Sequence, residues 1–288
     1  MDTSRRSLMA LYAHPDDEVF GSGGTTALES ERGTRVVLVV ATGGEAGEVV
    51  NPELRSSVDL KDLPRIRQEE LACSARALGI GEVVNLGYHD SGMAGTPENQ
   101  RPDAFMNADE DAVAGRLVEL IRHYRPQVLF TFDSTGGYGH PDHLMIHRSA
   151  HLAFDRAGDG SWYPEAGPPW QPARLFYVSI VREQLQAVRQ DLVSRNIPLE
   201  SGFETMSEEE FARLGTPRDE VTTVVDIRST LSRKLAAFRC YETQVASNFF
   251  YFQVSEDVLG EEFFTLAATS VEGPPPAHDL FEGLSVGG

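Results

Sequence analysis

The chain opens on a short, almost wholly apolar run, Ser7–Ala13, that stops at Pro15, Asp16 and Asp17. A run of that length reads as a strand covered on both faces. Thr34–Ala41 repeats the pattern, and shorter runs recur at Glu82–Leu86 and Gln127–Phe132. Between them the apolar spacing is helical. Thr25–Arg32 ends at Gly33 and Arg65–Leu78 at Gly79, the residue that most often closes a helix. Asp109–Tyr124 opens on acidic residues and closes on Arg122 and His123, charges that suit the two ends of a helix dipole. Pro141–Phe154 reads as a further helix. Strands alternating with helices predict an α/β fold, a Rossmann-like, largely parallel sheet with helices on both faces. A polar, Gly-rich or Asp-rich cluster follows each strand. Active-site loops are therefore expected at the carboxyl ends of the strands, where open α/β sheets bind ligands.

The second half is less regular. Arg174–Val181 and Val221–Ile227 read as strands, and Arg182–Arg195 and Ser229–Tyr241 as helices. Residues 45–64, 92–108 and 158–173 read as loop excursions, and Glu204–Glu220 as an acidic connection. Three consecutive prolines within Gly273–His278 are expected to end the fold before a short tail. With no internal repeat and no linker, residues 1–288 are expected to form a single domain.

Composition narrows the function. Lys and Arg number 25 against 44 Asp and Glu, a net charge of −19. That leaves no basic face for nucleic acid or an anionic membrane surface. No stretch approaches the ~18 apolar residues of a membrane span, so a cytoplasmic protein is expected. Cys73 and Cys240 are far apart and outside any C-x-x-C; they read as buried, inert thiols.

Three loop segments carry candidate chemistry: Ala13–Glu18 (AHPDDE), Tyr88–Met93 (YHDSGM) and Gly136–His143 (GGYGHPDH). His14 and Asp17, three apart around a proline, can converge on one ion, and imidazole with carboxylate suits zinc. Catalytic zinc needs three protein ligands and an open position. His143, from a matching loop, is the natural third. Asp16 or Glu18 could stay unligated and take a proton from water. His140 could face the open position, best protonated, with Asp142 holding its charge. His143 and His147 also stand four apart, as in metal-binding helices, but pairing them would leave His14 and Asp17 idle. His147 and His151 read as helix-face residues. Gly23-Gly24 and Gly43-Gly44 lie outside any nucleotide-binding fingerprint, and no serine sits in a G-x-S-x-G elbow.

With an A-H-P-D-D-E after the first strand and an H-P-D-H midway, the chain resembles the LmbE-like (PIG-L) family of zinc-dependent N-deacetylases. It is most similar to the longer bacterial branch that includes the mycothiol-biosynthesis deacetylase and the mycothiol S-conjugate amidase. The resemblance implies one zinc per chain, with Fe(II) or Co(II) also acceptable, held by His14, Asp17 and His143. It implies Asp16 as general base, His140 and Tyr138 as oxyanion donors, and Arg67 and Asp90 as contacts to sugar hydroxyls. Residues 1–156 would carry the metal site and 157–288 would complete the fold and pocket. The implied reaction removes acetyl from a small N-acetylglucosaminyl conjugate. The alternatives are an amidase acting on a larger acyl group and a sugar-binding module without catalysis.

Overall fold

A computed structural model describes residues 5–198 and 214–284. Among them one sheet contains seven strands: β1 (Ser7–Tyr12), β2 (Arg35–Thr42), β3 (Glu82–Tyr88), β4 (Val128–Thr131), β5 (Arg174–Ser179), β6 (Thr223–Asp226) and β7 (Glu261–Thr269). Their spatial order is β3-β2-β1-β4-β5-β7-β6. The five strands from β3 to β5 pair in parallel. The order reverses between β1 and β4, which opens a crevice at their carboxyl ends.

Every residue of β1 is buried, and alternate side chains face opposite layers. Leu8, Ala10, Tyr12, Leu38, Phe130 and Phe176 pack on one side with Leu71, Val188, Leu192 and Leu231. These last four come from helices α3 (Leu63–Leu78), α7 (Arg182–Ser194) and α8 (Leu231–Cys240). Met9, Leu11, Val37, Val39 and Leu129 face the other layer. They meet Leu117 and Ile121 of α4 (Glu110–Tyr124) and Ile146 and Ala150 of α6 (Pro141–Ala157). Fully burying one such side chain stabilises the fold by about 1.5–3 kcal/mol.

The six apolar runs read as strands all join the sheet, but β7 has no counterpart among them. It runs antiparallel between β5 and β6. Its second residue, Glu262, breaks the apolar pattern yet is buried. The Glu262 carboxylate accepts from Lys234 Nζ at 2.7 Å. It also accepts from the Gly24 and Thr25 amides, at 2.9 and 2.7 Å, at the start of α2 (Gly23–Glu31). The chain's own carboxylate therefore fills the helix N-terminus where a phosphate could otherwise sit.

Three further expectations need correction. Cys73 and Cys240 are not separate thiols but a disulfide, Cα to Cα 5.6 Å, because α3 packs against α8. The prolines do not end the fold. Val224 N donates to Ala277 O at 2.9 Å, and the buried Arg174 guanidinium donates to Leu280 O and Glu282 O. Leu280 and Phe281 are buried. Finally, Arg122 does more than complement the helix dipole. Its buried guanidinium donates to the carbonyls of Ala157, Asp159, Trp162 and Tyr163, which pins the start of the 158–173 loop. Most of the predicted Glu204–Glu220 connection, up to residue 213, lies outside the described residues; Arg218–Glu220 is a short 3-10 turn.

Removing Glu262 would leave the buried Lys234 ammonium, which also donates to the Phe20 carbonyl, without its counter-charge. Glu262→Ala is expected to cost about 3–5 kcal/mol of stability, read from urea unfolding; a loss under about 1 kcal/mol would show that Lys234 reaches water instead.

Candidate active site

The loops leaving β1 and β4 meet in the crevice. The first turns at once into the short helix α1 (Asp17–Phe20). Asp17 folds back onto its own loop, where Oδ2 accepts from the His14 and Ala13 amides at 2.7 and 3.2 Å. The second loop forms α5 (Gly136–Gly139), then α6. His140 caps α6, its Nδ1 accepting from Asp142 N at 3.2 Å. Gly136 has φ 63°, and a Cβ there would stand 2.9 Å from His143 Cβ. Glycine alone allows that approach, and it lets Gly136 O accept from His143 Nδ1 at 3.0 Å.

The two loops bring His14, Asp17 and His143 together. His14 Nδ1 lies 3.2 Å from His143 Nε2. Asp17 Oδ1 is 3.3 Å from His143 Nε2, and Asp17 Oδ2 is 3.5 Å from His14 Nδ1. Ligand atoms sharing a tetrahedral ion at about 2.0–2.2 Å stand roughly 3.3–3.6 Å apart. Asp17 meets His143 through one oxygen and His14 through the other at spacings close to these, so the three residues could hold one metal ion. The outer ring atoms fit too: His143 Nδ1 is held by Gly136 O, and His14 Nε2 by Asp142 Oδ2 at 3.1 Å. Such partners set the tautomer that leaves the inner nitrogen free for a metal. His140 is close enough to join, since one ring atom each of His14, His140 and His143 lie within 4.8 Å of one another. Its Nδ1 is already an acceptor, so only Nε2 faces the site.

Asp142 departs from its expected part. Its carboxylate turns from His140 to His14 and to the amide and hydroxyl of Ser91. His140, pressed by burial and by the His14 and His143 rings, is pushed down to about 4 and stays neutral. A neutral ring accepting at Nδ1 carries its proton on Nε2 and donates there. His14 goes the other way. Burial opposes its charge, but hydrogen bonds to Asp142, Asp17 and Asp90 hold it well above the usual range. Asp17 is held well below the carboxylate range: burial opposes this, and the His143 and His14 rings outweigh it.

Asp16 has φ 104° and ψ −30°, which for a residue with a side chain costs about 1–3 kcal/mol. Its Oδ2 accepts from Arg67 Nη2 at 2.9 Å. Burial pushes the Asp16 carboxyl up to about 7, against the pull of Arg67. Arg67 is buried and also donates to Pro15 O and Gly44 O. Asp90 Oδ1 accepts from Gly92 N at 2.8 Å and lies 3.5 Å from His14 Nε2. Tyr138 stands on the rim, 65% exposed, its ring 4.9 Å from that of His143.

His147 and His151 stay outside the cluster, bonded to Phe132 O and to the Tyr177 hydroxyl. Ser91 is a support that the sequence reading did not assign, and Glu18, expected as an alternative to Asp16 for taking the proton of water, is instead enclosed and turned to Ser74, Tyr241 and the Asp16 amide. Ser91 was legible as the neighbour of Asp90. Glu18 was legible in its motif, but its partners Ser74 and Tyr241 carry no local signal.

A doubly wound sheet with a His–Asp cluster at its switch point that could hold a metal suits metal-assisted hydrolysis. Residues 9–154 match the PIG-L family, described as GlcNAc-PI de-N-acetylase, and the chain belongs to that family. It is 38% identical over 300 residues to a 1D-myo-inositol 2-acetamido-2-deoxy-alpha-D-glucopyranoside deacetylase of Catenulispora acidiphila, covering 99% of this chain and 91% of that one. A deacetylase of the same description from Geodermatophilus obscurus is 37% identical, covering 98% and 99%. Among solved structures, the N,N'-diacetylchitobiose deacetylase of Pyrococcus horikoshii superposes with a TM-score of 0.62 at 19% identity, over 97% of this chain and 86% of that one. The 4-carboxy-2-hydroxymuconate hydratase of Pseudomonas putida gives 0.60 at 18%, over 93% and 98%.

His14→Ala and His143→Ala are expected to abolish stoichiometric metal binding. Asp142→Ala should retain binding but weaken it about 10–100-fold, measured by competition with a chromogenic chelator. Unchanged affinity in Asp142→Ala would remove its role as the support of His14.

Proposed function

We propose that the protein is a zinc-dependent N-deacetylase that hydrolyses the acetamide of a small 2-acetamido sugar, with an N-acetylglucosaminyl-inositol glycoside as substrate. The observation that carries this reading is the triangle of His14, Asp17 and His143 at ligand spacing, in a chain about as long as the deacetylases it resembles. Zinc held there would supply Lewis acidity and bring the pKa of water down to about 7.

The chain's own residues supply the rest. Asp16, outside the ligand triangle, accepts the proton of the attacking water and passes it to the amine nitrogen as the C–N bond breaks, giving acetate and a free amine. Its fixed, strained backbone keeps the carboxylate aimed. His140 donates from Nε2–H to the oxyanion, and Tyr138 adds its hydroxyl from the rim. One such donor is worth about 3–4 kcal/mol. His140 needs no positive charge for this. Arg67 and Asp90 remain the candidates for the sugar hydroxyls, although each already holds a site residue, Asp16 and His14.

The test is amine release from N-acetylglucosamine and from its inositol glycoside, by protein stripped of metal and then reloaded with zinc. Zinc-dependent release, greater with the glycoside, is expected. Asp16→Ala should lower turnover about 10²–10⁴-fold with zinc still bound. Near-normal turnover in that variant would remove Asp16 as base. No release from either sugar by zinc-loaded protein would overturn the substrate class.

A further inference from the structure

Asp16 is aimed by something other than its own preference. Its backbone, at φ 104°, is one that residues with side chains rarely adopt. The group that holds it there is Glu18, whose Oε2 accepts from Asp16 N at 3.0 Å. Glu18 is itself fully enclosed, 1% exposed. Its other oxygen, Oε1, accepts from two hydroxyls, Ser74 Oγ at 2.5 Å and Tyr241 OH at 2.6 Å. Both donors are completely buried.

The placement of those donors is informative. Ser74 follows Cys73 in α3, and Tyr241 follows Cys240 at the end of α8. The Cys73–Cys240 disulfide thus joins the two chain segments immediately beside the two hydroxyls. The bond lines a surface cavity of about 370 Å³, with Glu69 and Thr243 among its walls, so a reductant can reach it. Arg67, which grips the Asp16 carboxylate, lies on the same helix two turns before Ser74.

We propose that Glu18 is a positioning residue for Asp16, held by the hydroxyls of Ser74 and Tyr241, and that the Cys73–Cys240 disulfide is the redox-sensitive tie that keeps those hydroxyls in register. The proposal rests on the reading of Asp16 as general base. A dithiol opens the tie by giving two electrons and two protons: it becomes a disulfide, and Cys73 and Cys240 become thiols. With α3 and α8 free to shift, Glu18 loses a donor, the Asp16 backbone relaxes, and the base swings from its target. In variants that remove only the two hydroxyls, turnover falls while sugar binding is unchanged, because the candidate sugar contacts Arg67 and Asp90 bond neither Glu18 nor its two donors.

The experiment uses zinc-loaded full-length protein and the N-acetylglucosaminyl-inositol glycoside. Tyr241→Phe should lower kcat about 10-fold and Tyr241→Phe/Ser74→Ala about 100-fold, with KM and the zinc-to-protein ratio unchanged. Cys73→Ala/Cys240→Ala and wild type reduced by a phosphine, which binds zinc poorly, should lose equal activity, and reoxidation should restore the wild type alone. In parallel, hydrogen exchange of the peptide 13–20 should quicken on reduction, a readout independent of turnover. Unchanged kcat in the double hydroxyl variant while Asp16→Ala is inactive overturns the positioning role and leaves the base in place. An active Asp16→Ala overturns both. Loss of zinc from a folded hydroxyl variant, or unchanged exchange on reduction, also overturns the proposal. If the double variant does not fold, Glu18→Gln takes its place. It keeps the volume but accepts on one oxygen only, and an unchanged kcat there overturns the proposal.

Discussion

Burying like charges together is the constraint around which this molecule is arranged. Asp16, Asp17, Glu18, Asp90 and Asp142 converge on one crevice, and all but the partly exposed Asp16 are buried. Isolated carboxylates would be forced to neutralise there. Each instead has a specific answer. Asp17 takes backbone amides and two imidazoles, and Asp142 takes His14 and Ser91. Asp90 takes Gly92, Glu18 takes two hydroxyls and an amide, and Asp16 takes Arg67. The imidazoles of His14 and His143 are shared between these carboxylates, and their inner nitrogens are left facing each other. Ligand geometry for a cation is thus a by-product of neutralising the anions.

The fold contributes position but not chemistry. A deacetylase and a hydratase share this architecture with comparable superposition, so the reaction resides in the loops. Those loops hang from β1 and β4, the two strands that flank the switch point. His14, Asp16, Asp17, His140 and His143 all come from them, Asp90 and Ser91 from the segment after β3, and Arg67 reaches in from α3.

What could be read from the sequence follows a physical divide. The parallel strands announce themselves because both faces are buried, so Ser7–Ala13 and Thr34–Ala41 are nearly pure apolar runs. The candidate ligands announce themselves because each loop packs its donors into a few residues, His14 with Asp17 in one and His140 with His143 in the other. Arrangements made between distant segments carry no such signal. The disulfide spans 167 residues, Tyr241 reaches Glu18 across 223, and β7 is disguised by the buried charge of Glu262. Even Asp142, two residues from His140, serves the other imidazole, because the helix start turns its backbone amide to His140 and its carboxylate away.

The strand order also bears on how the chain is made. β7 is the last strand in sequence, yet it separates β5 from β6. During synthesis the outer edge of β5 has no partner until residues 261–269 leave the ribosome. By then β6 has already emerged, with nothing beside it. For the time taken to add roughly the last third of the chain, an apolar strand edge stands open. Such an edge is a template for pairing with another chain. Throughout that interval the candidate ligands His14, Asp17 and His143 are already made, while Tyr241 and Glu262, which brace Glu18 and the start of α2, arrive only towards its end, so the loops exist before their supports.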